Sequence, residues 1–232
     1  MKTVGSNRQI AIDGGAGSGK TTVGKVLAQK LGYTFIDSGL FYRLAAYLII
    51  ENGFEKNKLK WVSVLRNANV LYSNGIIVVH GITLNDEILH SKVIDELVSP
   101  VSEIEEVRTI ITNFLRKAAL DKNVVMAGRD IGTVVLKDAF LKIYLTATYE
   151  ERASRRFKEL VSKGVNVRYS DVFKNIKERD LIDSSRIYSP LAIAKDAYVI
   201  DTTNLSVEEV IDRIDTYLEG REYALRNSSY HS

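Results

Sequence analysis

The sequence predicts an α/β domain built on a five-stranded parallel sheet with helices on both faces. Three observations carry that expectation. Residues 14–21, Gly-Gly-Ala-Gly-Ser-Gly-Lys-Thr, complete a G-x-x-x-x-G-K-[ST] phosphate loop. The loop follows an apolar run, Gln9 to Asp13, and opens a helical pattern through Val23, Val26, Leu27 and Leu31. That is the strand–loop–helix setting in which the motif has a mechanism. Short apolar, β-rich runs then alternate with amphipathic helical stretches, as they do in a parallel sheet covered on both sides.

The first strand is expected over residues 8–13. Small residues in the loop (Gly14, Gly15, Ala16, Gly17, Ser18, Gly19) let the backbone wrap a phosphate chain with its N–H groups inward. The helix amino end adds partial positive charge there. Lys20 can then reach the β- and γ-phosphates, Thr21 can hold Mg²⁺, and Thr22 completes the ATP-binding set. A second strand, Tyr33 to Ile36, ends at Asp37-Ser38-Gly39 and leads into a helix through Phe41, Leu44, Ala45 and Leu48.

Residues 55–95 break the alternation. A short helix around Trp61 to Leu65 precedes two β-like runs, Val70 to Tyr72 and Ile76 to Val79, joined by Ser73-Asn74-Gly75. Asn-Gly between such runs signals a hairpin, so a small antiparallel insert is expected. Pro100 after Ser99 is expected to open a long helix with Ile104, Val107, Ile111, Phe114 and Ala118 on one side. The third strand, Val124 to Ala127, is wholly apolar, as a central parallel strand should be. A fourth covers Leu141 to Leu145.

Residues 150–186 read as a charged helical stretch with Gly164 midway, a candidate lid tied to the core at both ends. A fifth strand, Ala197 to Ile200, precedes a closing helix that starts at Ser206 with Glu209 three residues on, a capping box. Val207, Val210, Ile211, Ile214 and Leu218 give it a core face, and the tail from Gly220 is expected to fray. In open α/β sheets ligands bind beyond the carboxyl ends of strands, which draws attention to Asp37, Ser38, Arg129 and Asp130.

Composition narrows the function. Of 232 residues, 45% are hydrophobic and 26% charged, and no apolar run approaches the ~20 residues of a membrane span. The polar start through Gln9 carries no apolar stretch of a secretory signal, and there is no cysteine, so a cytoplasmic protein without disulfides is expected. A net charge of +3 is too mild to argue for nucleic acid as the main partner. His80, His90 and His231 sit in the insert and tail and read as structural or exposed.

A phosphate loop serves kinases, switches and motors alike. No N-K-x-D base-reading motif of a GTPase is present, and Asp130 lacks the following Glu of a motor ATPase. Arg129, Arg152, Arg155, Arg156, Arg179 and Arg186 gather in the second half. They suit transfer of a phosphoryl group to an acceptor that is itself a phosphate. ATP and a nucleoside monophosphate bring about six negative charges into one cleft. Arginine bridges them because its planar fork grips two oxygens and stays protonated. The acceptor oxygen is already anionic, so no general base is required.

The motifs also carry a likeness. Ile12 to Lys20, Asp37-Ser38-Gly39-Leu40-Phe41-Tyr42-Arg43, Val98-Ser99 with Val107-Arg108, Gly128 to Val135, Glu150 to Arg156, Arg179-Asp180, Asp183, Arg186 and Ser189-Pro190-Leu191 together resemble bacterial-type cytidylate kinases over roughly residues 8–218. The resemblance implies the P-loop nucleoside monophosphate kinase fold. It also implies transfer of the γ-phosphoryl group of ATP to CMP or dCMP, with Mg²⁺. One domain over 1–232 is implied: a core roughly at 8–54, 96–149 and 190–220, an acceptor-binding insert at 55–95, a lid at 150–189 and a tail at 221–232.

By the same resemblance Arg43 and Arg129 hold the acceptor phosphate, and Ser38 belongs to the CMP-binding set. Ser99, Arg108 and Asp130 read cytosine with help from Arg186, and Arg179 with Asp183 binds the sugar. Lys20, Arg129, Arg179 and Arg186 form the catalytic set, and Arg152, Arg155 and Arg156 face the ATP phosphates when the lid is closed. A carboxylate can accept from the cytosine amine while serine and arginine donate to the ring acceptors, whereas uracil presents a carbonyl to Asp130. Gly15 stands where the family usually has proline, and Thr21-Thr22 where serine or glycine is common. A monomer is the family expectation. Two other readings stay open: a related kinase acting on UMP, AMP or shikimate, and a nucleotide-binding module without turnover.

Overall fold

The computed structural model describes residues 8–53, 57–73 and 75–228. Asn74 of the expected hairpin, the residues before Arg8, and His231 lie outside the described residues. All five expected core strands form: β1 (Gln9–Gly14), β2 (Thr34–Asp37), β6 (Val124–Gly128), β7 (Leu141–Thr146) and β8 (Tyr198–Asp201). They pair in parallel in the order β2-β6-β1-β7-β8. The loop after β1 therefore emerges from the middle of the sheet.

Side-chain alternation along β1 explains the layers. Ile10 and Ile12 pack with Val23 and Leu27 of α1 (Lys20–Leu31) and with Ile211 and Ile214 of α9 (Val207–Ser228). Ala11 points the other way, into a cluster with Leu44 of α2 (Ser38–Glu51) and with Ile111 and Leu115 of α6 (Glu105–Ala119). Trp61 and Leu65 of α3 (Lys58–Arg66) belong to that second cluster. So do Ile77 and Val79 of β4 (Ile76–Val79), so the insert shares the core of the main sheet.

Three expectations need correction. The insert holds three antiparallel strands, β3 (Val70–Ser73), β4 and β5 (Ile82–Leu84), rather than two. β5 is only three residues long and too brief to show a period in the sequence. Pro100 does not open a helix; it lies near the end of α5 (Lys92–Ser102), which follows the short α4 (Asp86–Leu89). Buried Ile94, Leu97 and Val101 form a stripe at helical spacing that outweighs the proline penalty so close to the helix end. The next helix starts at Glu105, with Glu105 and Glu106 in its first turn and Arg116 and Lys117 in its last, the charge order that its dipole favours. Finally, α9 runs on to Ser228 instead of stopping near Gly220. Its expected capping box is present: Ser206 N donates to Glu209 Oε2 (2.7 Å) and Glu209 N to Ser206 Oγ (3.2 Å).

The charged stretch folds as two helices, α7 (Tyr149–Ser162) and α8 (Tyr169–Ser185), with Gly164 in the connection. They have a small core of their own, Ala153, Val172 and Ile176 flanked by Phe157 and Phe173. Ala16 of the phosphate loop is part of it.

Candidate active site

The phosphate loop joins β1 to α1 with Gly17 at φ +74°, where a Cβ would also stand 2.8 Å from the Arg152 carbonyl. Glycine is therefore required where this turn of the loop meets the backbone of α7. Lys20 is the first residue of α1 and is buried. Its Nζ donates to Gly15 O at 2.6 Å and reaches Ser18 Oγ at 3.4 Å. Burial, then the neighbouring Arg129 charge, pushes its pKa well below the ordinary lysine value. Thr21 Oγ1 donates to Asp37 Oδ2 at 3.0 Å. Asp37 also caps α2 by accepting from Gly39 N (2.9 Å), which fixes its carboxylate at the loop mouth.

Asp13 ends the apolar part of β1, level with Gly128 of β6. Its carboxylate accepts from Ile131 N (2.8 Å) and Gly132 N (2.7 Å), the start of a π-helical turn over Ile131–Val135. Burial raises its pKa to about 6 against the pull of those two amides. The Arg129–Asp130 segment is thereby tied to the strand that carries the phosphate loop. A side chain on Gly128 would overlap Ser38 Oγ and Ile131, so this glycine lets the start of α2 close on the same turn.

Next to this turn, Arg108 of α6 donates to Asp130 Oδ2 at 2.5 Å and to Ser102 O at 3.0 Å. Its guanidinium lies 5.3 Å from the Tyr42 ring centre. Burial, then Asp130, pushes the Tyr42 hydroxyl up. Arg129 Nε donates to Asp183 Oδ2 (2.7 Å), and Arg186 Nη1 to Asp183 Oδ1 (3.1 Å). Burial opposes ionisation of Asp183, yet Arg129, Arg186 and Arg179 together hold it below the usual carboxylate range. Arg179 and Arg186 are both lowered, by burial first and then by a neighbouring guanidinium, Arg129 for the former and Arg108 for the latter. Arg108 Nε and Arg186 Nη2 are buried without a protein acceptor. These are the deficits that a ligand's acceptors would fill. Arg43 bonds Leu89 O (3.1 Å) and pairs with Asp95, which ties it to the insert side. Ser99 sits on α5, its carbonyl accepting from Ser102 Oγ (2.9 Å).

The three arginines of α7 that the sequence singles out occupy three settings. Arg152 is buried, its Nε on Ala147 O (3.0 Å) and its Nη1 on Ala16 O (3.1 Å) and on Asp180. Arg155 reaches the loop after β8, with Nη1 on Thr202 Oγ1 (2.9 Å) and Nη2 on Thr202 O (2.5 Å). Arg156 pairs with Glu159 on its own helix (2.7 Å). Sequence reasoning gave no role to Asp13, Asp180 or Thr202. Thr202 was findable from its place just past a strand's carboxyl end; Asp180 lies 28 residues from Arg152 with no local pattern joining them.

A family model described as cytidylate kinase matches residues 10–219. The chain belongs to the cytidylate kinase family. It is 45% identical over 213 residues to a cytidylate kinase of Alkaliphilus oremlandii, covering 91% of this chain and 98% of that protein. It is 47% identical over 207 residues to one of Caldanaerobacter subterraneus subsp. tengcongensis, covering 89% and 92%. In fold it resembles a shikimate kinase from Bacteroides thetaiotaomicron, with a TM-score of 0.50, 19% identity, and 91% of this chain and 98% of that one covered. As a cytidylate kinase it is an ATP-dependent phosphotransferase.

Proposed function

We propose that this kinase transfers the γ-phosphoryl group of ATP to CMP or dCMP in line, beneath a closing lid. One observation carries the reading: Arg129 and Arg186 converge on the Asp183 carboxylate, and burial with neighbouring positive charge pushes the pKa values of Lys20, Arg179 and Arg186 down. Such a cluster is costly without an anion and favourable around two phosphate chains. Lys20 leaves the Gly15 carbonyl to meet the β- and γ-phosphates. Arg43, Arg129 and Ser38 hold the acceptor phosphate, and Arg179 with Asp183 holds the sugar.

Base selection falls to the buried Arg108–Asp130 pair with Ser99 and Arg186. Asp130 accepts from the cytosine amine, and the arginine N–H groups left without acceptors donate to the ring nitrogen and carbonyl. Mg²⁺ fits the donor set at the loop mouth, where the Thr21 hydroxyl and the Asp37 carboxylate are hard oxygens. Bound there with ATP, the ion would neutralise charge developing on the phosphates. Gly14 to Thr22 line the ATP side, with Arg155 and Arg156 from the lid and Arg152 behind the loop. Closure of residues 150–189 excludes water. The reading places the enzyme in the cytoplasm as a monomer. No helix among the described residues is long and apolar enough to cross a membrane, and the chain has no cysteine.

Initial velocities with CMP, dCMP, UMP, AMP and GMP at fixed ATP and Mg²⁺ test this. CMP and dCMP should lead by a wide margin. Preference for UMP or AMP would overturn the base-reading assignment.

A further inference from the structure

We propose that Asp180 is a positioning residue that makes the shape of the phosphate loop, and so the affinity for ATP, depend on how the lid sits over the acceptor. The proposal rests on the reading that the loop holds ATP and that α8 meets the acceptor. The geometry centres on Ala16. Its N–H donates to Asp180 Oδ1 at 3.1 Å, and its C=O accepts from Arg152 Nη1 at 3.1 Å. The same Nη1 is paired with Asp180 Oδ2. Both polar groups of one loop residue are therefore held by one buried ion pair, whose halves come from the two lid helices. The Ala16 methyl packs with Ala153, Val172 and Ile176 in the lid's own core. By side chain and by backbone, then, Ala16 belongs to the lid as much as to the loop.

The far end of the lever is on the same helix. Arg179 precedes Asp180, and Asp183 lies one turn on, where it accepts from Arg129 and Arg186. A shift of α8 that tightens Asp183 around an acceptor moves Asp180 on the donor loop by a comparable amount, because a helix is a stiff connector. Beside Asp180, a cavity of about 510 Å³ lies between β7, the start of α7 and α8, lined by Tyr144, Thr146, Tyr149, Leu181 and Ser184. The bridge therefore borders open space on one side of α8, while Val172 and Ile176 pack the helix with Ala153 of α7. The bridge closes directly over Gly15. A Cβ there would stand 2.5 Å from Arg152 Nη1 and 2.8 Å from Asp180 Oδ2.

Linkage supplies the test, because coupling between two ligands is reciprocal. Calorimetry measures the affinity for a non-hydrolysable ATP analogue with and without CMP, or with whichever monophosphate the acceptor panel selects. The parent enzyme should bind the analogue at least about fivefold tighter with acceptor present. In Asp180→Ala that factor should fall to within about twofold of one, with the KM for ATP up about tenfold and acceptor affinity on its own unchanged. Asp180→Asn keeps an acceptor for Ala16 N but loses the ion pair, and should fall between. Gly15→Ala displaces the bridge without altering either of its side chains and should also lose the coupling, which covers the case of a poorly folded Asp180 variant. Parent-like coupling in both Asp180→Ala and Gly15→Ala, or no coupling in the parent, overturns the proposal. Failure of the cytidylate reading would look different: the panel would select another acceptor, while the analogue still bound and the coupling could still be read.

Discussion

Arg108 closes on Asp130 at 2.5 Å with the two residues only 4% and 3% exposed. A pair buried this deeply is a poor place to remove one charge. Asp130→Ala leaves the guanidinium uncompensated and should cost about 3–5 kcal/mol, read as a lower urea midpoint. Asp130→Asn keeps the shape and should weaken CMP far more than ATP in steady-state kinetics. An equal rise in both KM values would mean that Asp130 serves the fold alone.

Lys20 is held between the Gly15 carbonyl and Ser18. If Lys20 meets the transferring phosphate as proposed, Lys20→Ala should lower kcat by at least about a hundredfold. Thermal unfolding should stay close to the parent, since the lost contacts are local to the loop. Near-native turnover would count against the role given to Lys20.

The Thr21–Asp37 hydrogen bond sets two hard oxygens side by side at the loop mouth. Asp37→Asn should raise the Mg²⁺ concentration needed for half-maximal velocity several-fold at saturating ATP. A Mg²⁺ titration unchanged by that substitution would confine Asp37 to capping α2.

Asp13 makes stability depend on pH. Its folded value of about 6 lies above the 3.8 of a free aspartate. Between those values the folded chain keeps a proton that the unfolded chain has released. The stability from this group is therefore full at low pH and is lost as pH rises through about 6. Asp13→Asn does not titrate, so urea unfolding from about pH 4 to about pH 7 should shift the stability gap in its favour by up to about 3 kcal/mol. A gap that stays constant over that range would contradict the assignment.

Much of this fold and site is legible in the sequence. β6 declared itself because a central parallel strand is apolar on both faces, and α9 because Ser206 and Glu209 cap each other at fixed spacing. The loop, Lys20 and Thr21 follow from a motif whose chemistry is local. What the sequence hid is non-local. Nothing in the residues near Arg152 says that its carboxylate partner is Asp180, or that Thr202 receives Arg155. Those contacts exist only once α7, α8 and the strand ends are assembled. Pro100 misled for a related reason: local propensity argued for a helix start, and burial of Ile94, Leu97 and Val101 decided otherwise.

The strand order has a consequence for synthesis. β1 and β2 precede β6 in the chain yet are not neighbours; both wait for β6, and Gln9 finds a partner at Val124. A nascent chain released before that point carries two apolar strands with open edges, a template for association with other chains. Delivery of Val124 to Thr146 closes both gaps almost at once, because β6 and β7 flank β1 on its two sides. The strand that carries the phosphate loop thus gains both of its sheet neighbours only when residues 124–146 are available, more than a hundred residues after the loop itself.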